Sequence, residues 1–235
     1  MPSTNSTGFE YEHLCPHNKE RLHGLSASSG MTRDHWWWRP GWRKGRSFYT
    51  WHITFPSSNL IRQIVSLYAP IISRINTLDP VGIEGIHLTL QGVGFTDEVS
   101  LVDIEAIVAS VRLRCAQLEP IKAKIDEPQM DEEALFMNVH PVEQIAHVKL
   151  AVRNGIGDVW GHGNIPESMD GFRPHITLAY SNGIESIDRI NAVVKQWSFP
   201  AANVLIPSVA LIDLNRDRGR YEWTEIATTA LGHDA

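Results

Sequence analysis

His87-Leu88-Thr89-Leu90 and His175-Ile176-Thr177-Leu178 are two copies of one pattern, His-x-Thr-x with apolar residues at the x positions. In an extended strand successive side chains point to opposite faces. Each copy, read as a strand, therefore puts an imidazole and a hydroxyl on one face and two aliphatic groups on the other. The aliphatic face suits a core, and the His and Thr face suits a cavity.

Working outward, residues 48–55 are aromatic and β-branched and read as a strand. Pro56, Ser57 and Ser58 end it and offer an N-cap to a helix carrying Leu60, Ile61, Ile64, Val65, Tyr68, Ile71, Ile72 and Ile75, with a kink or break at Pro70. A turn at Asp79-Pro80 leads to a strand over 83–91 that holds the first motif and is closed by Gly92 and Gly94. Ser100 and Asp103 resemble a capping box before the amphipathic run Ile104 to Cys115, and a strand follows at 121–125. The second half repeats this order: a strand at 134–139, a helix opened by Pro141 and running through Val152, a Gly-rich loop over 154–171, and a strand over 172–179 with the second motif. A helix over 186–197 and strands over 204–214 and 221–227, joined by a basic turn at 215–220, complete the chain.

Strand, helix, motif strand, helix, strand thus occurs twice. The repeat predicts an α+β fold of two duplicated lobes, about 48–128 and 129–235 with strands free to exchange, each a sheet covered by helices. An approximate two-fold axis would bring the motif strands together.

The chain has 235 residues, 43% of them hydrophobic, enough for one large domain or two lobes. No apolar run reaches the roughly 20 residues of a membrane span, and residues 1–7 lack the features of a signal peptide, so no membrane association and a cytoplasmic location are expected. Cys15 and Cys115 have no paired spacing; His13, Cys15 and His17 cluster but lack a fourth ligand, and no metal site is assigned there. The net charge of −6 argues against coating long duplex nucleic acid, yet allows a small anion in a locally basic cleft. Residues 1–47 form an N-terminal extension whose end interleaves Arg33, Arg39, Arg43, Lys44 and Arg46 with Trp36, Trp37, Trp38 and Trp42. Such a segment either packs on the body or holds a phosphate and stacks a base.

Histidine titrates nearest neutrality, so a pair can hold one neutral and one protonated ring. That suits cleavage of a phosphodiester: one imidazole takes a proton from the attacking water, the other protonates the leaving oxygen, and each step is worth typically 10²- to 10⁴-fold. Threonine hydroxyls can donate to the non-bridging oxygens as charge develops. A third His-x-Thr, His52-Ile53-Thr54-Phe55, sits on the opening strand, whose counterpart at 134–139 lacks the pattern. His52 is accordingly read as a neighbour of the cavity or a satisfied core group.

These motifs, the second preceded by Phe172-Arg173-Pro174 and lying 88 residues after the first, resemble the paired signatures of the 2H phosphoesterase superfamily, especially its 2'-5' RNA ligase-like and cyclic phosphodiesterase branch. The resemblance spans about 48–227 and leaves out the Trp-rich arm. It implies a bilobal α+β fold, with two antiparallel sheets flanked by helices around a central groove. It also implies catalysis by His87 and His175 without metal or other cofactor, and phosphate binding by Thr89 and Thr177. Substrates typical of the family are 2',3'-cyclic phosphates of nucleotides or RNA ends, ADP-ribose cyclic phosphate and 2'-5' linked oligonucleotides, and ring opening yields a 2'-phosphate. For that reaction the expected assignment is His175 as base and His87 as acid. Two other readings stay open: a phosphoesterase of a small phosphorylated nucleoside or sugar, and a non-catalytic RNA or nucleotide-binding module using the arm.

Further candidates are less sharply placed. Arg173 shares the face of His175 and is a possible substrate contact. Trp160 and His162 lie in the Gly-rich loop, where either a flap over the ligand or a plain connection fits. Tyr180 falls on the apolar face if its strand stays regular, and Arg216, Arg218 and Arg220 either solvate a turn or attract phosphate. Oligomeric state is not legible.

Overall fold

A computed structural model describes residues 30–199 and 203–232; the cluster of His13, Cys15 and His17 lies outside them. The first half runs β1 (Phe48–Thr54), α1 (Asn59–Ile72), β2 (Leu78–Pro80), β3 (His87–Phe95), α2 (Leu101–Cys115) and β4 (Ile121–Ile125). The second runs β5 (Gln129–Met130), β6 (Ala134–His140), α3 (Val142–Trp160), β7 (His175–Ser181), α4 (Ile187–Val194) and β8 (Asn203–Ile206), followed by β9 (Ser208–Asn215) and β10 (Glu222–Ala230). Serine side chains start three of the helices: Ser58, Ser100 and Ser186 accept from the backbone N–H of Ile61, Asp103 and Arg189. Among the described residues no helix is long and apolar enough to cross a membrane.

The strands form two antiparallel sheets, ordered β10-β9-β1-β3 and β2-β7-β6-β4-β8, with β5 paired to β6. Neither sheet is drawn from one half of the chain. The closing hairpin β9–β10 extends the sheet of β1 and β3, while β2 and β4 join β6, β7 and β8. β3 is the edge of its sheet and lies beside β7, so the two motif strands are neighbours. Leu88, Leu90, Ile176 and Leu178 are all buried in one core cluster that includes residues from both sheets.

Several boundaries differ from the sequence reading. Pro70 does not break α1, which continues to Ile72. Ile83–Gly85 is a short 3-10 turn, and β3 opens at His87 and passes through Gly92 and Gly94. These glycines are sites of close approach, not stops: a Cβ on Gly92 would lie 2.8 Å from Glu167 Oε1, and one on Gly94 2.6 Å from Val99 Cγ2. Residues 78–80, expected only to turn, add an edge strand to β7, and β7 itself begins at His175, after residues 172–174. The Gly-rich stretch from Asn154 is helical as far as Trp160. Gly155 is what lets α3 meet α2, because a Cβ there would sit 2.5 Å from Val111 Cγ2 and 2.9 Å from Val111 N.

The motif strands share a departure from regular pairing. Trp51 and His52 face Gln91 and Thr89, which skips Leu90; Leu135 and Phe136 face Ala179 and Thr177, which skips Leu178. Each strand therefore carries a bulge immediately after its motif threonine, at the fourth residue of the pattern. A bulge bends the strand and re-aims the side chains beyond it.

Gly155→Ala should lower stability despite the gain of about 1 kcal/mol in helix propensity, since overpacking costs about 1–3 kcal/mol. Urea unfolding checks this, and an unchanged or raised midpoint would contradict the close-approach account.

Candidate functional site

His87 and His175 open β3 and β7 and face one cavity, which Thr89 and Thr177 also line. The two imidazoles are held in the same way. His87 Nδ1 lies 2.8 Å from the carbonyl oxygen of Gly85, and His175 Nδ1 lies 2.8 Å from that of Arg173. A carbonyl only accepts, so in each ring Nδ1 carries the hydrogen and donates it to the residue two positions upstream. Nε2 is left in both rings as the atom that gains or loses a proton.

The two histidines differ in burial. His87 is 8% exposed and His175 is partly exposed. Burial pushes the His87 pKa down to about 4; the Gly85 carbonyl opposes this, while the charges of His175 and His35 add to it. His87 is thus neutral at physiological pH.

His52, the third motif histidine, stacks on His87 with ring centroids 4.3 Å apart and 6° between planes, and its Nε2 is 3.3 Å from Thr89 Oγ1. It lies in the cavity wall as a buried neighbour of the pair, as its place on β1 suggests. Arg173 also lines the cavity; its guanidinium sits 4.7 Å over the Phe136 ring and 3.9 Å from Asp131. Trp160 does not line it. It ends α3, partly buried against the core, and His162 begins a short 3-10 turn away from the cavity.

The bulge at Leu178 corrects the reading of Tyr180. It returns Tyr180 to the side of Thr177, and the phenol lines the cavity, its pKa raised by burial. The loop that follows α3 is pinned and not a free flap. Arg153 Nη1 donates to Gln91 Oε1 and to the carbonyls of Pro166 and Glu167, and Gln91 Nε2 donates to Pro166 as well. Lys149, 2% exposed, donates to the Leu90 carbonyl freed at the other bulge and stands 4.0 Å from Glu167. Lys149 and Glu167 are cavity residues that the sequence reading missed; a lysine on the buried face of an amphipathic helix is the signal that marks the first.

The N-terminal arm builds the remaining wall. Its backbone pairs along the second sheet, with Thr32, Arg33 and His35 N–H groups donating to Glu185, Glu132 and Ser181. At its far end, Arg46 binds Asp97 and Glu98 beyond β3 and packs on the Phe95 ring. Packing and a place in the site are therefore not alternatives for this segment. His35 is buried, stacks on Tyr180 at 4.1 Å, and lies 3.1 Å from Glu133 Oε2 and 3.0 Å from the Tyr221 hydroxyl. Burial lowers its pKa against the pull of Glu133. Nδ1 donates to the carboxylate, and Nε2 shares a hydrogen bond with the Tyr221 hydroxyl. For Glu133, burial works upward, but the hydrogen bond from His35 and the charges around it, chiefly Arg39, hold the carboxyl well below its usual range. Trp42 reaches the cavity beside Phe48 and Leu214, and Arg216 enters from the end of β9. Arg218 and Arg220 stay exposed beside Glu222.

A family model described as the 2'-5' RNA ligase superfamily matches residues 80–218. Among solved structures, TT0787 of Thermus thermophilus superposes with a TM-score of 0.61 at 17% identity, over 80% of this chain and 100% of that one. LigT of E. coli in apo form gives a TM-score of 0.58 at 17% identity, over 80% and 99%. The same protein complexed with 3'-AMP gives 0.58 at 17% identity over the same shares. At these identities the likeness is one of fold. No curated protein matches the chain by sequence.

Proposed function

The chain belongs to the 2'-5' RNA ligase superfamily of 2H phosphoesterases, and on that premise we propose that it hydrolyses a 2',3'-cyclic phosphate or 2'-5' phosphodiester of a nucleotide or RNA end. The observation that carries this reading is the matched anchoring of His87 and His175, each with Nδ1–H on a carbonyl two residues upstream and both facing one cavity. A pair of rings with Nε2 presented alike is the arrangement that an acid and a base on opposite sides of one phosphorus require. Nucleotide-sized ligands suit the aromatic walls, and LigT has been crystallised with 3'-AMP, ATP and NADP+.

Burial favours the reverse of the assignment expected from sequence. A ring held neutral cannot supply a proton, so His87 is the base: its Nε2 takes a proton from water as the water oxygen bonds to phosphorus. The P–O3' bond breaks, O3' receives the proton on His175 Nε2, and a 2'-phosphate remains. Thr89 and Thr177 donate hydroxyl hydrogens to the non-bridging oxygens, where negative charge grows. Loss of the proton gained by His87 and reprotonation of His175 from solvent, to which His175 is partly open, return the starting state.

His87→Ala and His175→Ala should each lower kcat/KM on a 2',3'-cyclic nucleotide by at least ~10²-fold, with EDTA leaving the wild type unaffected and phosphorus NMR showing a 2'-phosphate product. Turnover that survives both substitutions would sink the reading.

The pH profile carries the sign of the His87 shift. A base works only when deprotonated, so a pKa pushed down to about 4 moves its loss to lower pH. Plotted against pH, kcat/KM should not fall between about pH 7 and about pH 5, a span that includes the ordinary histidine value of about 6.5. A fall centred on that ordinary value would contradict the role given to His87.

A further inference from the structure

Arg216 is buried where its neighbours in the same turn are not. It is 4% exposed and lines the cavity, whereas Arg218 and Arg220 pair with Glu222 in solvent. Its Nη2 donates to the carbonyls of His35 and Trp37 at 3.0 and 3.2 Å. Among the described residues its other two nitrogens make no hydrogen bond and no carboxylate stands within ion-pair distance. The rings of Trp36, Trp42 and Tyr221 lie 5.6, 5.8 and 5.9 Å from the guanidinium carbon. Glu133, the carboxylate that reaches this end of the cavity, is already engaged by Arg33, His35 and Arg39. Glu133 is thus taken up by its own partners, and the charge of Arg216, which lines the cavity, faces the ligand space. Arginine does not lose its proton at physiological pH. A buried charge without a counter-ion carries a desolvation cost, which aromatic faces offset only in part and an anionic ligand would offset further.

We propose that Arg216, backed by Trp42 and Tyr221, is a second anion subsite that holds a phosphate of the substrate remote from the one being cleaved. The preferred substrate is then a nucleotide cyclic phosphate bearing a further phosphate, such as one at the 5' position. The His87 ring centroid and the Arg216 guanidinium carbon each lie 5.9 Å from the centroid of Tyr221, which places both beside one ring, within the reach of a single nucleotide. The identity of the reacting group rests on the function proposed above; the anion subsite does not.

The test compares adenosine 2',3'-cyclic phosphate with its 5'-phosphorylated form in the wild type, Arg216→Gln and Arg216→Lys. The wild type should favour the 5'-phosphorylated substrate by at least ~10-fold in kcat/KM, as expected for a charge-assisted contact. Arg216→Gln should bring the ratio towards one, and Arg216→Lys should keep part of it. If Arg216 merely ties down the arm, both substrates suffer alike and an unchanged ratio overturns the proposal. If the wild type turns over neither compound, the reaction proposed above falls, and calorimetry with AMP and adenosine decides the subsite alone. A preference for AMP that Arg216→Gln abolishes supports it, and a preference that persists, or none in the wild type, overturns it.

Discussion

The site depends on one backbone contact made twice: the carbonyl two residues before each motif histidine accepts its Nδ1–H. That hydrogen bond selects the tautomer and fixes the ring plane, so the reactive nitrogen of each imidazole is set before a ligand arrives. It needs the chain just upstream to leave the strand. The 3-10 turn at Ile83–Gly85 provides this before β3, and the non-strand residues 172–174 provide it before β7. The bulge after each threonine completes the arrangement. Between turn and bulge, each sheet offers a short regular segment of His, apolar and Thr residues, whose aliphatic side the core holds.

The parts of the fold that were legible in the sequence are those whose cause is local. Alternation in Leu88, Leu90, Ile176 and Leu178 marks the buried face, and Ser58, Ser100 and Ser186 cap helices a few residues away. The catalytic candidates were legible for the same reason, because the His and Thr of each copy are two residues apart. What could not be read is set by distant partners. Gly155 looks like a loop residue until α2 is placed against it. The bulges leave no trace in composition, since Leu90 and Leu178 are ordinary strand residues; Tyr180 was misplaced because alternation assumes a regular strand. His35 takes its meaning from Glu133 and Tyr221, 98 and 186 positions away. Arg216 is indistinguishable in sequence from Arg218 and Arg220, and only burial separates them.

The arm also explains how an acidic chain presents a basic cavity. The net charge of −6 belongs to the whole molecule, but Arg33 and Arg39 engage Glu133 and Arg216 lines the same cavity with no carboxylate within ion-pair distance among the described residues. By raising the cost of protonating a buried ring, low-dielectric surroundings distinguish His87 from His175, and the different roles we propose for the two copies of one motif rest on that difference.

The most direct test of this account is long-range proton–nitrogen NMR correlation on His87 and His175 in the ligand-free protein, assigned with single substitutions and followed from about pH 7 to about pH 5. The account predicts that both rings carry hydrogen on Nδ1 and that His87 stays neutral throughout. An Nε2–H tautomer in either ring, or protonation of His87 near its ordinary pKa, would contradict it.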